Sequence, residues 1–143
     1  MKPVFSASSP EAMMNLGSLF AAQAKPGDVF ALVGDLGSGK THWTKGFLKQ
    51  LQPDTCVTSP TFSIVNSYKD GNSTIHHFDF YRLKSPNELI DLGWDEYLEE
   101  DAIVICEWAD LFPELFSDHT QWLQFEHQPD DSREIRISNR KSL

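Results

Sequence analysis

Apolar and polar positions alternate with two different periods along this 143-residue chain. Near the N-terminus the period is helical, and it predicts a helix over about residues 10–24 that opens with a capping box of Ser8 and Glu11. The next apolar run, VFALV at 29–33, has no polar member, which is typical of a strand buried on both faces. A second helix is predicted to begin near Lys40. The first part of the chain is therefore predicted as helix, strand and helix.

The rest of the chain mixes strand-like and helix-like patterns. The predicted segments are a hairpin of strands 62–68 and 73–81, a helix over 86–98 interrupted at Gly93, a buried strand over 102–106, and a second hairpin of strands 121–128 and 133–138. Buried strands that alternate with helices, combined with hairpins, predict an α/β fold whose central mixed sheet contains antiparallel strands.

Length and composition fit one compact core. We expect residues 1–143 to form a single domain, because the chain is 40% hydrophobic and has no room for a second unit. No apolar run is long enough to span a bilayer and the N-terminus lacks a signal-peptide core, so a cytoplasmic location is expected. Cys56 and Cys106 lie in apolar stretches without a CxxC partner and are interpreted as buried, reduced thiols.

The net charge of −9 limits the classes of molecule that this chain is expected to bind. Proteins that grip nucleic acid on their own normally present a basic surface, and this chain has only four arginines, so independent nucleic-acid binding is not expected. An acidic surface is compatible with a basic protein partner. The acidic residues between 95 and 101 are interpreted as a solvated face, with partner docking as the alternative.

GDLGSGKT, residues 34–41, matches the pattern G-x-x-x-x-G-K-[ST] at every fixed position. Glycines let backbone N–H groups turn towards phosphates, Lys40 neutralises the β- and γ-oxygens, and the Thr41 hydroxyl ligates Mg²⁺. The match follows a predicted strand and opens a predicted helix, as the chemistry requires, so we expect this loop to bind a nucleotide. The loop residues expected at the nucleotide are Asp35, Leu36, Gly37, Ser38, Gly39, Lys40 and Thr41.

A phosphate-binding loop needs further groups before it can hydrolyse anything. Asp79 and Glu107 each lie where a predicted strand ends, and the carboxyl ends of strands are where open α/β sheets place ligand groups. We expect both to complete a metal site; the alternative for each is a solvated acid at a strand end. The segment 58–62, which contains Thr61, lies roughly twenty residues after the loop, where switch proteins sense the γ-phosphate. An ordinary Ser-Pro turn is an equal alternative.

Other conspicuous side chains receive structural interpretations. His76 and His77 are successive residues of a predicted strand, so one is expected to face the core and the other solvent. Trp108 follows Glu107 and is expected either to pack in the core or to contact the nucleotide or a partner. Three tryptophans at core-like positions are interpreted as packing residues: Trp43, Trp94 and Trp122.

Taken in order, GDLGSGKT, SPTFSIVNSY, HHFDFYRL, ELIDLGWDEYL and ICEWAD closely resemble the TsaE family. The resemblance covers roughly residues 8–110, and it implies a three-layer P-loop NTPase-like fold with helices on both faces of the sheet. It also implies a cytoplasmic, Mg²⁺-dependent ATPase that works with the proteins TsaB and TsaD. In that family the complex modifies the adenosine next to the tRNA anticodon to threonylcarbamoyladenosine, and ATP hydrolysis is thought to reset the complex.

The resemblance also implies roles for individual residues. Lys40 would contact the β- and γ-phosphates of ATP, while Thr41 and Glu107 would ligate Mg²⁺ and Asp79 would be the Walker-B-like acid. Thr61 would belong to a switch-like segment. Arg133, in the late hairpin, is a candidate nucleotide contact, and a surface arginine is an equal alternative for it.

Two other functions are compatible with a phosphate-binding loop. A small-molecule kinase usually closes an arginine-bearing lid over the phosphates, and residues 83–132 contain no arginine. A nucleotide-dependent switch of the GTP type would carry an N-K-x-D segment to read guanine, and the chain has none. Both observations favour hydrolysis of ATP with water as the acceptor.

Overall fold

The computed structural model describes residues 3–35, 37–54, 64–70 and 73–138. Three of the residues discussed above, Leu36, Cys56 and Thr61, lie outside these ranges. Within the described ranges the strands are β1 (Val4–Ala7), β2 (Val29–Val33), β3 (Val65–Lys69), β4 (Thr74–Asp79), β5 (Ile103–Glu107), β6 (Gln121–His127) and β7 (Arg133–Ser138). The α-helices are α1 (Pro10–Gln23), α2 (Lys40–Leu51), α3 (Pro86–Leu92) and α4 (Trp94–Glu99).

The seven described strands form one mixed sheet in the order β1-β7-β6-β2-β5-β4-β3. The inner strands β6, β2, β5 and β4 run parallel to one another. The hairpin partners β7 and β3 are antiparallel to their neighbours, and β1 is antiparallel to β7. The predicted α/β class with antiparallel pairing in a central sheet is confirmed.

Helices cover both faces of this sheet, each over its own aromatic core. On one face α1 and α2 pack over Phe30 and Phe125 of the sheet, and Phe47 of α2 contacts Phe30. On the other face α3, α4 and short 3₁₀ turns pack over Phe78, Phe116 and the buried thiol of Cys106. The predicted packing role of three tryptophans is confirmed, since each is at most 1% exposed: Trp43, Trp94 and Trp122.

Helices α1 and α2 meet backbone to backbone at two glycines. A Cβ atom built on Gly46 would lie 1.9 Å from the carbonyl oxygen of Met14, and one built on Gly17 would lie 2.0 Å from that of Trp43. No side chain fits at such distances. Ser18 Oγ also donates a hydrogen bond to the Gly46 carbonyl oxygen at 3.1 Å. The crossing of the two helices therefore depends on residues without side chains.

Three sequence expectations need correction. The N-cap of α1 is Ser9, whose Oγ accepts from the N–H of Ala12 at 3.0 Å, and the expected capping box of Ser8 is wrong. Strand β1 was not predicted, because four residues at a sheet edge leave too short a pattern. The expectation that one of His76 and His77 faces solvent is also wrong: they are 2% and 1% exposed, because helices cover both faces of β4.

The described residues contain no helix with the length and apolar character needed to cross a bilayer.

Candidate active site

The candidate site lies at the edge of the sheet that is formed by the carboxyl ends of parallel strands. The glycine-rich loop follows β2, Asp79 ends β4 and Glu107 ends β5, and these three strands are parallel. The turn after β6, which leads to Arg133, lies at the same edge because β6 is parallel to β2. The carboxyl edge of a parallel sheet is where α/β proteins bind ligands.

The backbone of the loop is shaped by glycine. Gly37 has φ of 79° and Gly39, the N-cap of α2, has φ of 106°, a region that side chains with a Cβ disfavour. A Cβ on Gly39 would also approach Met13 Cε to 2.7 Å. The hydroxyl of Ser38 is buried and has no hydrogen-bond partner among the described residues. Together with the first N–H groups of α2, these features suit an anion.

Lys40 places a buried ammonium group at the start of α2. Its side chain is 5% exposed overall, its Nζ donates to the carbonyl oxygen of Gly34, and Nζ lies 3.9 Å from the centre of the Trp108 ring. Burial lowers the pKa of Lys40, and the negative charges of Glu107 and Asp110, in that order, oppose the shift. A buried cation held by a carbonyl dipole and an aromatic face is well placed to exchange those partners for phosphate oxygens.

The backbone of Trp108 has an unusual conformation, which places its ring beside Lys40. It directly follows β5 with φ of 60°, in the left-handed region. Its ring centre lies 5.0 Å from that of Tyr81, which is 64% exposed. The sequence left two alternatives for Trp108, packing in the core or a contact at the site. In the structure its ring lies at the site, against Lys40, and also packs at the edge of the core that contains Phe78 and Phe116.

Asp79 and Glu107 are paired residues on adjacent parallel strands. Glu107 is 7% exposed, and its Oε2 lies 2.7 Å from Nε2 of His77. Asp79 Oδ1 accepts the N–H of Tyr81 at 3.0 Å. Burial raises the pKa of Asp79, partly offset by that hydrogen bond, and the charge of Glu107 adds to the rise. A carboxyl group whose ionisation is opposed by burial and by a neighbouring carboxylate favours a bound cation.

A cavity of about 520 Å³ opens between the loop and its neighbours. The structure brings these sequence-predicted residues to its wall: Gly37, Ser38, Gly39, Lys40, Thr41, Glu107 and Arg133. Asp79 is adjacent to Glu107 in the sheet but does not line the cavity, and Asp35 is exposed in the loop without lining it. Leu36 and Thr61 are outside the described residues, so their predicted roles stay predictions.

Part of this wall was not predicted from the sequence. The cavity is also lined by Ser8 and Ser9, which precede α1, by Met13 of α1, which lies beside Gly39 of the loop, and by Asp131 of the β6–β7 turn. No local motif identifies them, because only the sheet order brings them to the loop. His77 carried a usable signal: it lies two residues before Asp79, so both point to the same face of β4.

The donor chemistry of the site fits Mg²⁺ held together with phosphate. Carboxylates and a hydroxyl, which Asp79, Glu107 and Thr41 supply, are hard oxygen ligands. The described residues contain no group of three or more His, Cys, Asp or Glu side chains able to hold a metal ion by themselves. Mg²⁺ typically takes one or two carboxylates and completes its shell with phosphate oxygens and water. A metal here would therefore bind with the nucleotide.

These features define the chain as a mixed α/β protein built around a strand, a glycine-rich loop and a helix that begins at a lysine. A family model described as "Threonylcarbamoyl adenosine biosynthesis protein TsaE" matches residues 7–135. The chain belongs to the TsaE family.

Individual relatives agree with this assignment. The "tRNA threonylcarbamoyladenosine biosynthesis protein TsaE" of Bacillus subtilis is 42% identical over 130 residues, which cover 91% of this chain and 81% of that protein. The protein of the same name from Rickettsia conorii is 41% identical over 76% of this chain, and the match spans 62% of the relative's length. The crystal structure of Bacillus subtilis YdiB superposes with a TM-score of 0.80 at 35% identity, covering 97% of this chain and 86% of that one.

Proposed function

We propose that this chain binds and hydrolyses ATP with Mg²⁺, and that it does so in the biosynthesis of threonylcarbamoyladenosine in tRNA. The observation that carries the proposal is the convergence of Lys40, Thr41 and Glu107 on one cavity at the carboxyl edge of the sheet. An anion-binding helix start, a buried cation and a buried carboxylate are the elements that nucleoside triphosphate hydrolysis requires.

The cavity supports a whole nucleotide. A volume of about 520 Å³ lies within the range of small-molecule sites. The loop backbone and Lys40 would bind the phosphates, because both present positive charge or N–H donors. Ser8, Ser9 and Met13, which also line the cavity, would offer hydroxyls and an apolar thioether to the sugar and base.

Thr41, Glu107 and Asp79 would hold Mg²⁺. When bound, the ion supplies charge neutralisation to the phosphate oxygens. The Glu107 carboxylate is buried and lines the cavity, where a bound cation would contact it. Burial raises the pKa of Asp79, and a bound cation would lower that pKa, because a nearby positive charge favours the ionised carboxylate.

Water is the proposed acceptor, and the chain alone is expected to hydrolyse ATP slowly. Among the described residues that line the cavity, the lysine and arginine side chains are those of Lys40 and Arg133. Stabilising the charge that develops during phosphoryl transfer usually takes additional cations or donors. We propose that TsaB and TsaD raise the rate when they bind.

The proposed biological role follows from the family. The relatives are named as tRNA threonylcarbamoyladenosine biosynthesis proteins. With a net charge of −9, this chain would meet tRNA only through TsaB and TsaD in the cytoplasm. Hydrolysis would then reset the complex between rounds of modification.

The test combines the purified chain, TsaB and TsaD with tRNA and ATP. ADP release and modified adenosine are counted over several turnovers. We expect both to require this chain, and Glu107→Gln to slow ADP release by at least tenfold, while the exposed Glu114→Gln stays at the wild-type rate. Repeated modification without ATP hydrolysis, or equal hydrolysis with and without the partners, would contradict the proposal.

A further inference from the structure

His77 and Glu107 form a buried hydrogen-bonded pair between strands β4 and β5. Nε2 of His77 lies 2.7 Å from Oε2 of Glu107, and the two residues are 1% and 7% exposed. Glu107 lines the cavity, whereas His77 does not. The histidine therefore reaches the site only through the carboxylate.

The pair fixes where the proton lies. In a contact of 2.7 Å between Nε2 of His77 and Oε2 of Glu107, the imidazole N–H donates and the carboxylate oxygen accepts, which assigns a hydrogen to Nε2. The other ring nitrogen, Nδ1, is buried and has no partner among the described residues. A hydrogen on Nε2 agrees with both observations, because a hydrogen on Nδ1 would be a buried donor without an acceptor.

We infer that His77 is a positioning residue for Glu107, and this inference rests on the proposed function. A glutamate has three rotatable side-chain bonds, and ordering it costs conformational entropy. The bond to His77 orders Oε2 in advance and leaves Oε1 for Mg²⁺. Partners of metal-ligating side chains act in this way in other proteins, and their loss typically weakens metal binding about 10- to 100-fold.

The neighbouring histidine provides a matched control. His76 is 2% exposed, and its Nε2 lies 2.7 Å from Oε2 of Glu100. It faces the opposite side of β4, against Tyr97 and away from the cavity. Both histidines are buried in the same strand and contact a glutamate through Nε2. The two glutamates differ, since Glu107 belongs to the candidate site, whereas the side chain of Glu100 is 47% exposed and lies outside it. His76 also has a second partner, because its Nδ1 lies 2.7 Å from the hydroxyl oxygen of Ser67.

The experiment compares His77→Gln with His77→Met, alongside the same two changes at His76. Gln and Met have the same length, but only Gln can donate a hydrogen bond to Glu107. Binding of Mn²⁺ to the protein–ADP complex is measured by electron paramagnetic resonance, and ADP affinity in EDTA by calorimetry. We expect His77→Met to weaken Mn²⁺ binding about 10- to 100-fold, with ADP affinity in EDTA changed less than twofold. His77→Gln should recover most of the loss, and both His76 variants should bind Mn²⁺ like the wild type.

Three results would overturn the inference: wild-type Mn²⁺ binding in His77→Met, an equal loss in His77→Gln, or an equal loss in His76→Met. Thermal melts verify that each variant is folded. If His77→Met does not fold, His77→Asn replaces it, because its shorter amide ends before the position of Nε2. Failure of the wild-type chain to bind ADP both in EDTA and with Mn²⁺ present would instead contradict the proposed function.

Discussion

Arg133 donates a hydrogen bond from Nε to the carbonyl oxygen of Gly37 at 3.1 Å, joining the start of β7 to a loop 96 residues earlier. The same guanidinium donates from Nη1 to the carbonyl oxygen of Asp131 at 2.7 Å. Asp131 in turn accepts from His127 at 2.8 Å. The β6–β7 turn is therefore bonded to the glycine-rich loop through Arg133, whose planar guanidinium donates hydrogen bonds to two carbonyl oxygens.

Arg133→Ala should weaken ADP binding about tenfold, because a hydrogen bond from a charged donor contributes about 1.5–3 kcal/mol and its loss frees the loop. Arg133→Lys keeps the positive charge but removes the guanidinium, so it distinguishes the charge of Arg133 from its hydrogen bonds to the loop. A lysine has one ammonium nitrogen in place of the two guanidinium nitrogens, Nε and Nη1, that reach the two carbonyls, so we expect it to resemble alanine in calorimetry. Arg136→Ala is the control, since Arg136 pairs with Glu126 and Glu134 outside the cavity. Wild-type affinity in the lysine variant would assign Arg133 a purely electrostatic role.

Lys40→Met should abolish ATP binding yet stabilise the nucleotide-free protein at neutral pH. Burial lowers the pKa of Lys40 below its ordinary value of 10.5, so folding at neutral pH confines a charge that water would solvate better. The unfolded chain then holds more protons between the lowered pKa and 10.5, and wild-type stability should rise with pH across that window. Urea unfolding from pH 7 upwards measures this rise, which should disappear in Lys40→Met and persist in the exposed Lys49→Met.

Asp79→Asn should have the opposite pH signature. Its folded pKa is raised above 3.8, so the folded chain holds more protons than the unfolded chain just above that pH. Wild-type stability should therefore fall as pH rises through the window between 3.8 and the raised value. The variant should lack this fall and be more stable than the wild type at pH 7 without nucleotide, while losing Mg²⁺-dependent hydrolysis. Equal unfolding curves from pH 3 to pH 7 would show that the burial of Asp79 has no energetic cost.

Gly46→Ala should destabilise the fold by about 3 kcal/mol or more. The new Cβ would meet the Met14 carbonyl oxygen at 1.9 Å, and overpacking against backbone usually costs about 1–3 kcal/mol. Gln50→Ala, on the exposed side of α2, should change stability by less than about 0.5 kcal/mol. Denaturant melts compare the two. A stable Gly46→Ala would mean that the helices move apart at little cost.

The helices and strands of this fold can be predicted from local sequence patterns, whereas the candidate site depends on how these elements associate. Periodicity was enough to predict α1, α2, β2 and both hairpins, and the loop motif placed Lys40 correctly at the start of a helix. The pairing of His77 with Glu107 could not be predicted, because it depends on the register of β4 against β5. Likewise, the bond from Arg133 to the loop exists only because β7 folds back beside β6.

The close approaches of Gly17 to Trp43 and of Gly46 to Met14 also bear on the cavity. The first turns of α1 and of α2 both line it, through residues that include Pro10 and Lys40. Since the two helices touch through their main chains, a larger residue at either glycine would push these two helix starts apart. The two glycines therefore constrain the ligand site as well as the core.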